Sequence, residues 1–205
     1  MKRTLFEIAL IGIVGWLVWA WFSSDRPPRN AHNLCDIFTE KQHWYQAAKK
    51  ASKKWNVPIV VPMAMMFQES SFRQDATPPM RTILWIIPIG RKSSAYGFSQ
   101  ALDRTWEDYK NETNNALAKR TSFADSIDFM GWFINKTSRI NKISRHNAQH
   151  QYLNYHEGWG AYKRKSYRKK AWLVKTAKKV NQRANTYAGQ YKQCKATLNR
   201  KRGWF

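Results

Sequence analysis

Three short polar segments hold the residues whose types and spacing could do chemistry. The first, Gln68-Glu69-Ser70-Ser71-Phe72, closes a run that is otherwise apolar: Ile59, Val60, Val61, Met63, Ala64, Met65, Met66 and Phe67. A carboxyl at the end of a buried helix is unusual. Either nearby backbone satisfies it, or apolar surroundings raise its pKa towards neutrality, which is the state a general acid needs. The second segment, Ala95-Tyr96-Gly97-Phe98-Ser99-Gln100, reads as a glycine turn entering a helix. Gly97 there would let backbone approach closely. The third, Asn154-Tyr155-His156-Glu157-Gly158, is a polar cluster opening a glycine-rich turn.

These segments need a scaffold, and the periodicity supplies a helical one. Asp36 to Trp55 carries Ile37, Trp44, Tyr45, Ala48, Ala51 and Trp55 near one stripe and lysines on the other side; Asn56-Val57-Pro58 ends it. A second helix is expected over about Ile59 to Gln68, apolar all round and therefore buried, with Pro62 tolerated in its first turn. Further helices are expected over Leu102 to Tyr109, Ser122 to Thr137 and about Lys169 to Gln193. Residues 77–92, with Pro78-Pro79 and the apolar stretch from Ile83 to Ile89, suggest an apolar loop or short hairpin. No internal repeat and no large sheet are indicated.

The first residues form an anchor. Met1-Lys2-Arg3 is basic, and Leu5 to Phe22 is an 18-residue run with Glu7 as its one charge. As a helix it spans about 27 Å, close to the hydrocarbon thickness. Trp16, Trp19 and Trp21 crowd its far end, as in an interfacial aromatic belt. The run ends without a small-residue cleavage site, so an uncleaved signal anchor is expected over residues 1–22. A linker would follow at 23–34, then a folded domain at 35–198 and a basic tail at 199–205. Cys35 and Cys194 flank that domain almost end to end. Export behind the anchor favours a disulfide between them.

Taken in order, the three segments resemble the motifs of the SLT-domain lytic transglycosylases, whose fold is similar to goose-type lysozyme. The family's E-S-x-F followed by alanine is matched by Glu69, Ser70, Phe72 and Ala76. Its A-x-G-h-h-Q is matched by Ala95, Gly97 and Gln100, and its Y-N-x-G by Tyr155-His156-Glu157-Gly158. The resemblance covers about Trp44 to Tyr191. It implies a mainly α, lysozyme-like helical domain behind the N-terminal transmembrane helix. It also implies cleavage of the MurNAc–GlcNAc β-1,4 bond of peptidoglycan glycan strands with a 1,6-anhydro product. Glu69 would act first as acid and then as base. Ser70, Tyr96, Gly97, Ser99, Gln100, Tyr155, His156 and Glu157 would bind substrate. Two departures stand out: about a dozen extra residues within 77–92, expected to form a lip beside the cleft, and His156-Glu157 where the family places asparagine.

No metal and no other cofactor is expected: His146, His150 and His156 lack zinc-site spacing. Charge points to an anionic partner, since 36 Lys and Arg face 13 acidic residues. Fifteen of those cations lie between Lys163 and Arg202, where no acid occurs. Peptidoglycan and the inner membrane fit an exported domain in the periplasm; nucleic acid does not. Each of the 11 tryptophans reads first as core, although flat aromatic faces also serve sugar sites. Two other functions compete. A lysozyme-type hydrolase would use Asp75 or Glu157 as base. An inactive peptidoglycan-binding part of an envelope or secretion machine would need no acid at all.

Overall fold

The computed structural model describes residue 12 and residues 26–83, 87–91 and 93–200. Apart from residue 12, the expected anchor at 1–22 lies outside them, and among the described residues no helix is long and apolar enough to cross a membrane. Among the described residues eight α-helices run in order: α1 (Leu34–Glu40), α2 (Gln42–Trp55), α3 (Val60–Ser70), α4 (Asp103–Thr113), α5 (Phe123–Asn141), α6 (Ala148–Glu157), α7 (Trp159–Lys163) and α8 (Ala171–Arg200). The architecture is mainly helical, as read from the sequence. A two-stranded antiparallel hairpin, β1 (Met80–Ile83) and β2 (Ile87–Arg91), occupies the extra stretch. It leaves the fold after the first motif and returns just before the second, and Arg91 closes its base by donating to the Pro78 carbonyl at 3.2 Å.

Helix α3 is the centre of the domain. Val61, Met63, Ala64, Met65 and Met66 are fully enclosed, and α5, α6 and α8 pack against it. The aromatic core lies beside it. Trp44 stacks on Phe123 with centroids 4.1 Å apart and planes 1° from parallel, and Phe98 and Phe72 meet the same indole at 5.5 and 5.8 Å. These rings come from α2, α5 and the two turns that carry the first two motifs, so the core itself sets those motifs in register. A second tie is Asp128 on α5. Its carboxylate accepts from Lys54 Nζ at 2.7 Å, Trp55 Nε1 at 2.8 Å and the Tyr109 hydroxyl at 2.8 Å, joining α2, α4 and α5.

Helix boundaries follow their caps. The single helix expected over 36–55 is two helices, because the chain breaks at Lys41. Asn33 starts α1 by accepting from the Cys35 amide, Ser122 starts α5 by accepting from Asp125, and Asn147 starts α6 by accepting from His150. Asn56 ends α2 in the left-handed conformation that asparagine tolerates. Helix α3 runs two residues beyond Gln68, so Glu69 belongs to its last turn rather than to a following loop.

The stretch read as a linker is docked from its second half onward. The Ala31 carbonyl accepts from the Tyr187 hydroxyl at 2.5 Å, and Gln190 both donates to His32 and accepts from the Leu34 amide. Cys35 and Cys194 are joined in a disulfide, with Cα atoms 5.9 Å apart and a sequence separation of 159. Closing so large a loop stabilises by about 4–5 kcal/mol on the chain-entropy argument. Reduction is therefore expected to lower the Tm of the wild-type chain by several degrees. A Cys35→Ser, Cys194→Ser variant should start at that lower Tm and ignore reductant. Differential scanning calorimetry with and without reductant checks this, and a wild-type Tm unmoved by reduction would remove the covalent tie from the account of stability.

Candidate active site

Glu69 sits one residue from the C-terminus of α3, which Ser71 ends in the left-handed conformation with its amide on the Phe67 carbonyl. The apolar mass around the helix takes water from the carboxyl and pushes its pKa up to about 7; a hydrogen bond from the Tyr152 hydroxyl pulls the other way. Tyr155, one helical turn along α6, lies close enough to feel the Glu69 charge, and its own pKa is held well above normal, first by burial and then by that charge. Its hydroxyl donates to the Ser99 carbonyl at 2.5 Å. Helix α6 thus places two phenols, Tyr152 and Tyr155, at i and i+3 beside one carboxyl. Glu69 remains partly exposed, so a substrate can reach it.

The second motif is a turn whose side chains mostly brace the fold. Gly97 has φ +74°, and a Cβ there would lie 2.1 Å from the Arg120 carbonyl oxygen. Glycine is required by that close approach rather than by a ligand. The Arg120 carbonyl accepts from the Phe98 amide at 3.1 Å. The same residue's guanidinium donates to the Ser94 and Ala101 carbonyls and pairs with Asp103, and it lies 5.5 Å from the Tyr96 ring. Tyr96 is engaged there. Ala76 from the first motif accepts both the Gly97 amide and Gln100 Nε2, binding the two motifs together.

Two serines expected to contact substrate point inward instead. Ser70 Oγ donates to the Phe98 carbonyl at 2.7 Å and is buried. Ser99 is completely buried, and its hydroxyl has no partner among the described residues. What faces outward is a cavity of about 230 Å³ lined by Gln100, Leu102, Tyr155, His156, Glu157 and Trp159, among others. Glu69 is not part of its wall; Tyr155 is the side chain common to the cavity and the Glu69 surroundings. The structure therefore gathers Gln100, Tyr155, His156 and Glu157 around one space, and leaves Ser70, Tyr96, Gly97 and Ser99 as its support.

Glu157 is not a free base. Its side chain is 2% exposed, and its carboxylate accepts from Lys170 Nζ at 2.7 Å and from Ser166 Oγ. Burial alone would raise its pKa, but those donors, with His156 at 3.3 Å, outweigh it and hold the pKa below normal. Among the described residues no cluster of histidine, cysteine or acidic side chains is placed to hold a metal ion.

Sequence reasoning missed Tyr152 and Arg120. Tyr152 had a signal, its i, i+3 spacing from Tyr155 on a helix. Arg120 had none, because its partners are 17 to 26 residues away.

Comparison with curated proteins and with solved structures yields no match. Residues 9–194, most of the chain, match the family described as the transglycosylase SLT domain. The chain has the helical fold expected of that family and belongs to it, and the family's role is in peptidoglycan.

Proposed function

We propose that the protein is a peptidoglycan lytic transglycosylase cutting the MurNAc–GlcNAc β-1,4 bond, with Glu69 as its single acid and base. The observation that carries this is the Glu69 carboxyl held to a pKa of about 7 at the end of a buried helix. A carboxylic acid with that pKa is substantially protonated at neutral pH and can give its proton to the glycosidic oxygen as the bond to C1 breaks. The resulting carboxylate then takes the proton of the C6 hydroxyl as that oxygen attacks C1, with the N-acetyl group assisting. The product is a 1,6-anhydro end, no water is consumed, and Glu69 returns to its acid form. The Tyr152 hydroxyl supports the charged form between the two steps.

Hydrolysis of the same bond would need a second carboxylate close to the first. Glu69's shift arises only from burial and from Tyr152. Glu157 is locked to Lys170, and Asp75 is exposed on the surface. This favours the anhydro route. The run from Leu5 to Phe22 supports single-pass anchoring in the inner membrane with the domain in the periplasm, and the disulfide suits that compartment. A place beside envelope or secretion machinery is compatible with such anchoring.

Three outcomes follow. Glu69→Gln is expected to reduce muropeptide release from sacculi by at least about a hundredfold, the loss typical of an acid–base group. Mass spectrometry of wild-type digests should show 1,6-anhydro ends. Reducing ends would favour a hydrolase, and no release at all a binding component.

The pH profile carries a separate expectation. The acid must be protonated, so kcat/KM should fall with rising pH through about 7. Stability has the same sign: the folded state holds this proton from the ordinary value of 4.5 up to about 7, so the charged form weakens the fold as pH rises through that window. Glu69→Gln should accordingly gain stability over wild type at pH 8 and lose the gain towards pH 4.5. A gain that does not vary with pH would place Glu69 in ordinary solvent.

The third concerns the cations after Glu157. Lys163, Arg164, Lys165, Arg168 and Lys169 are exposed, whereas Lys170 holds Glu157. Changing the first five to glutamine should weaken sacculus binding of the full chain and flatten its salt dependence, since exposed charges are screened over about 8–10 Å. Pull-down against a salt series reads this directly. Equal binding by both chains at low salt would make the segment a solvated face.

A further inference from the structure

His156 and Glu157 are where the third motif departs from its family, and the acid–base chemistry uses neither. The structure connects them to a residue outside all three motifs. Lys170 and Ser166 fix the buried Glu157 carboxylate. That carboxylate meets His156 Nδ1 at 3.3 Å. The His156 ring lines the cavity and stands edge-on to the Trp172 indole, with centroids 5.0 Å apart and planes at 78°. Trp172 lies in the first turn of α8 and is 58% exposed, while Leu173, Val180, Tyr187 and Leu198 of the same helix are buried. The indole therefore gains little from the core, and the chain still holds it in place with a histidine, a buried carboxylate and a lysine.

We propose that Trp172 is a glycan-binding residue: its indole face packs against the apolar face of a sugar ring in the strand, outside the saccharide at Glu69. The inference rests on the reading of the cleft as a glycan site. Three features favour a sugar as occupant. The indole continues directly from the cavity wall through His156. Leu102, 46% exposed, gives the same cavity a second apolar surface. The polar groups alongside, the Gln100 amide oxygen and the His156 ring, can meet hydroxyl and acetamido groups, the mixed lining that ligand sites use. A polymer substrate runs past a cavity of about 230 Å³, so contacts outside it bear on binding strength.

The test compares binding of β-1,4-linked N-acetylglucosamine dimer and hexamer by isothermal titration calorimetry. It uses the full chain in detergent with Glu69→Gln to prevent turnover. Adding Trp172→Ala is expected to lower the ratio of hexamer to dimer affinity about tenfold or more, the scale of a buried tryptophan anchor. Trp172→Phe should keep most of the ratio, and His156→Ala should lower it in part, because the indole loses its support. A ratio unchanged by Trp172→Ala overturns the proposal. Wild-type cleavage of sacculi is measured in parallel. If the chain cleaves while Trp172→Ala leaves the ratio alone, only the role of Trp172 falls; if it neither cleaves nor binds these sugars, the glycan reading falls with it.

Discussion

An eleven-residue helix that is nearly all apolar is stable only with neighbours on every side, and α3 obtains them from α5, α6 and α8. The cost appears at its end, where Glu69 must stay reachable while the residues around it are dry. Two successive non-glycine residues, Ser71 and Phe72, adopt positive φ to turn the chain there. Each such conformation costs about 1–2 kcal/mol. The turn drives Phe72 fully into the core against Trp44 and Phe67, and that burial offsets the strain. The raised pKa of Glu69 is thus the same fact as the burial of α3, seen from its last turn.

Helix α6 serves two neighbourhoods at once. Its middle turns present Tyr152 and Tyr155 to Glu69, and its last residues, His156 and Glu157, form part of the cavity wall and the support for Trp172. Gly158, with φ +77°, stops the helix where the second role begins. The third motif's departure from the family pattern falls entirely on the second neighbourhood, which leaves the phenols at the carboxyl intact.

Much of this was legible in the sequence because it depends on local pattern. The apolar run before Glu69, the cap at Asn56 and the start of α5 at Ser122 are all read from neighbours in the chain. Several of the misreadings share a cause in long-range contact. Nothing near Lys41 signals its break. Helix α8 outlasts its expected end at Gln193 because Leu198 is buried and Asn199 accepts from Tyr45 and Lys49, about 150 residues away. Ser70 looks like a substrate ligand until the Phe98 carbonyl arrives from elsewhere in the fold to take its hydroxyl, and Ser99 until the fold buries it completely. Gly97 serves the close backbone approach expected of it, and the unforeseen part is the partner, the Arg120 carbonyl pressed against it. Residues 154–158 resembled a turn because the sequence Gln-His-Gln-Tyr-Leu-Asn-Tyr-His-Glu has little apolar period to betray α6.

The Cys35–Cys194 bond also defines a load path. A pull on the chain ahead of Cys35 first meets the Arg29–Glu40 and Asn30–Asp36 bonds, then the hydrogen bonds that Tyr187 and Gln190 make to residues 31–34. These can yield in sequence, like a zip. The next element in line is covalent, and it passes the force straight into the last helix instead of into α1 and the aromatic core. Tension on the leading segment therefore enters the domain through α8. Because α8 packs directly on α3, that load reaches the domain beside the helix that carries Glu69.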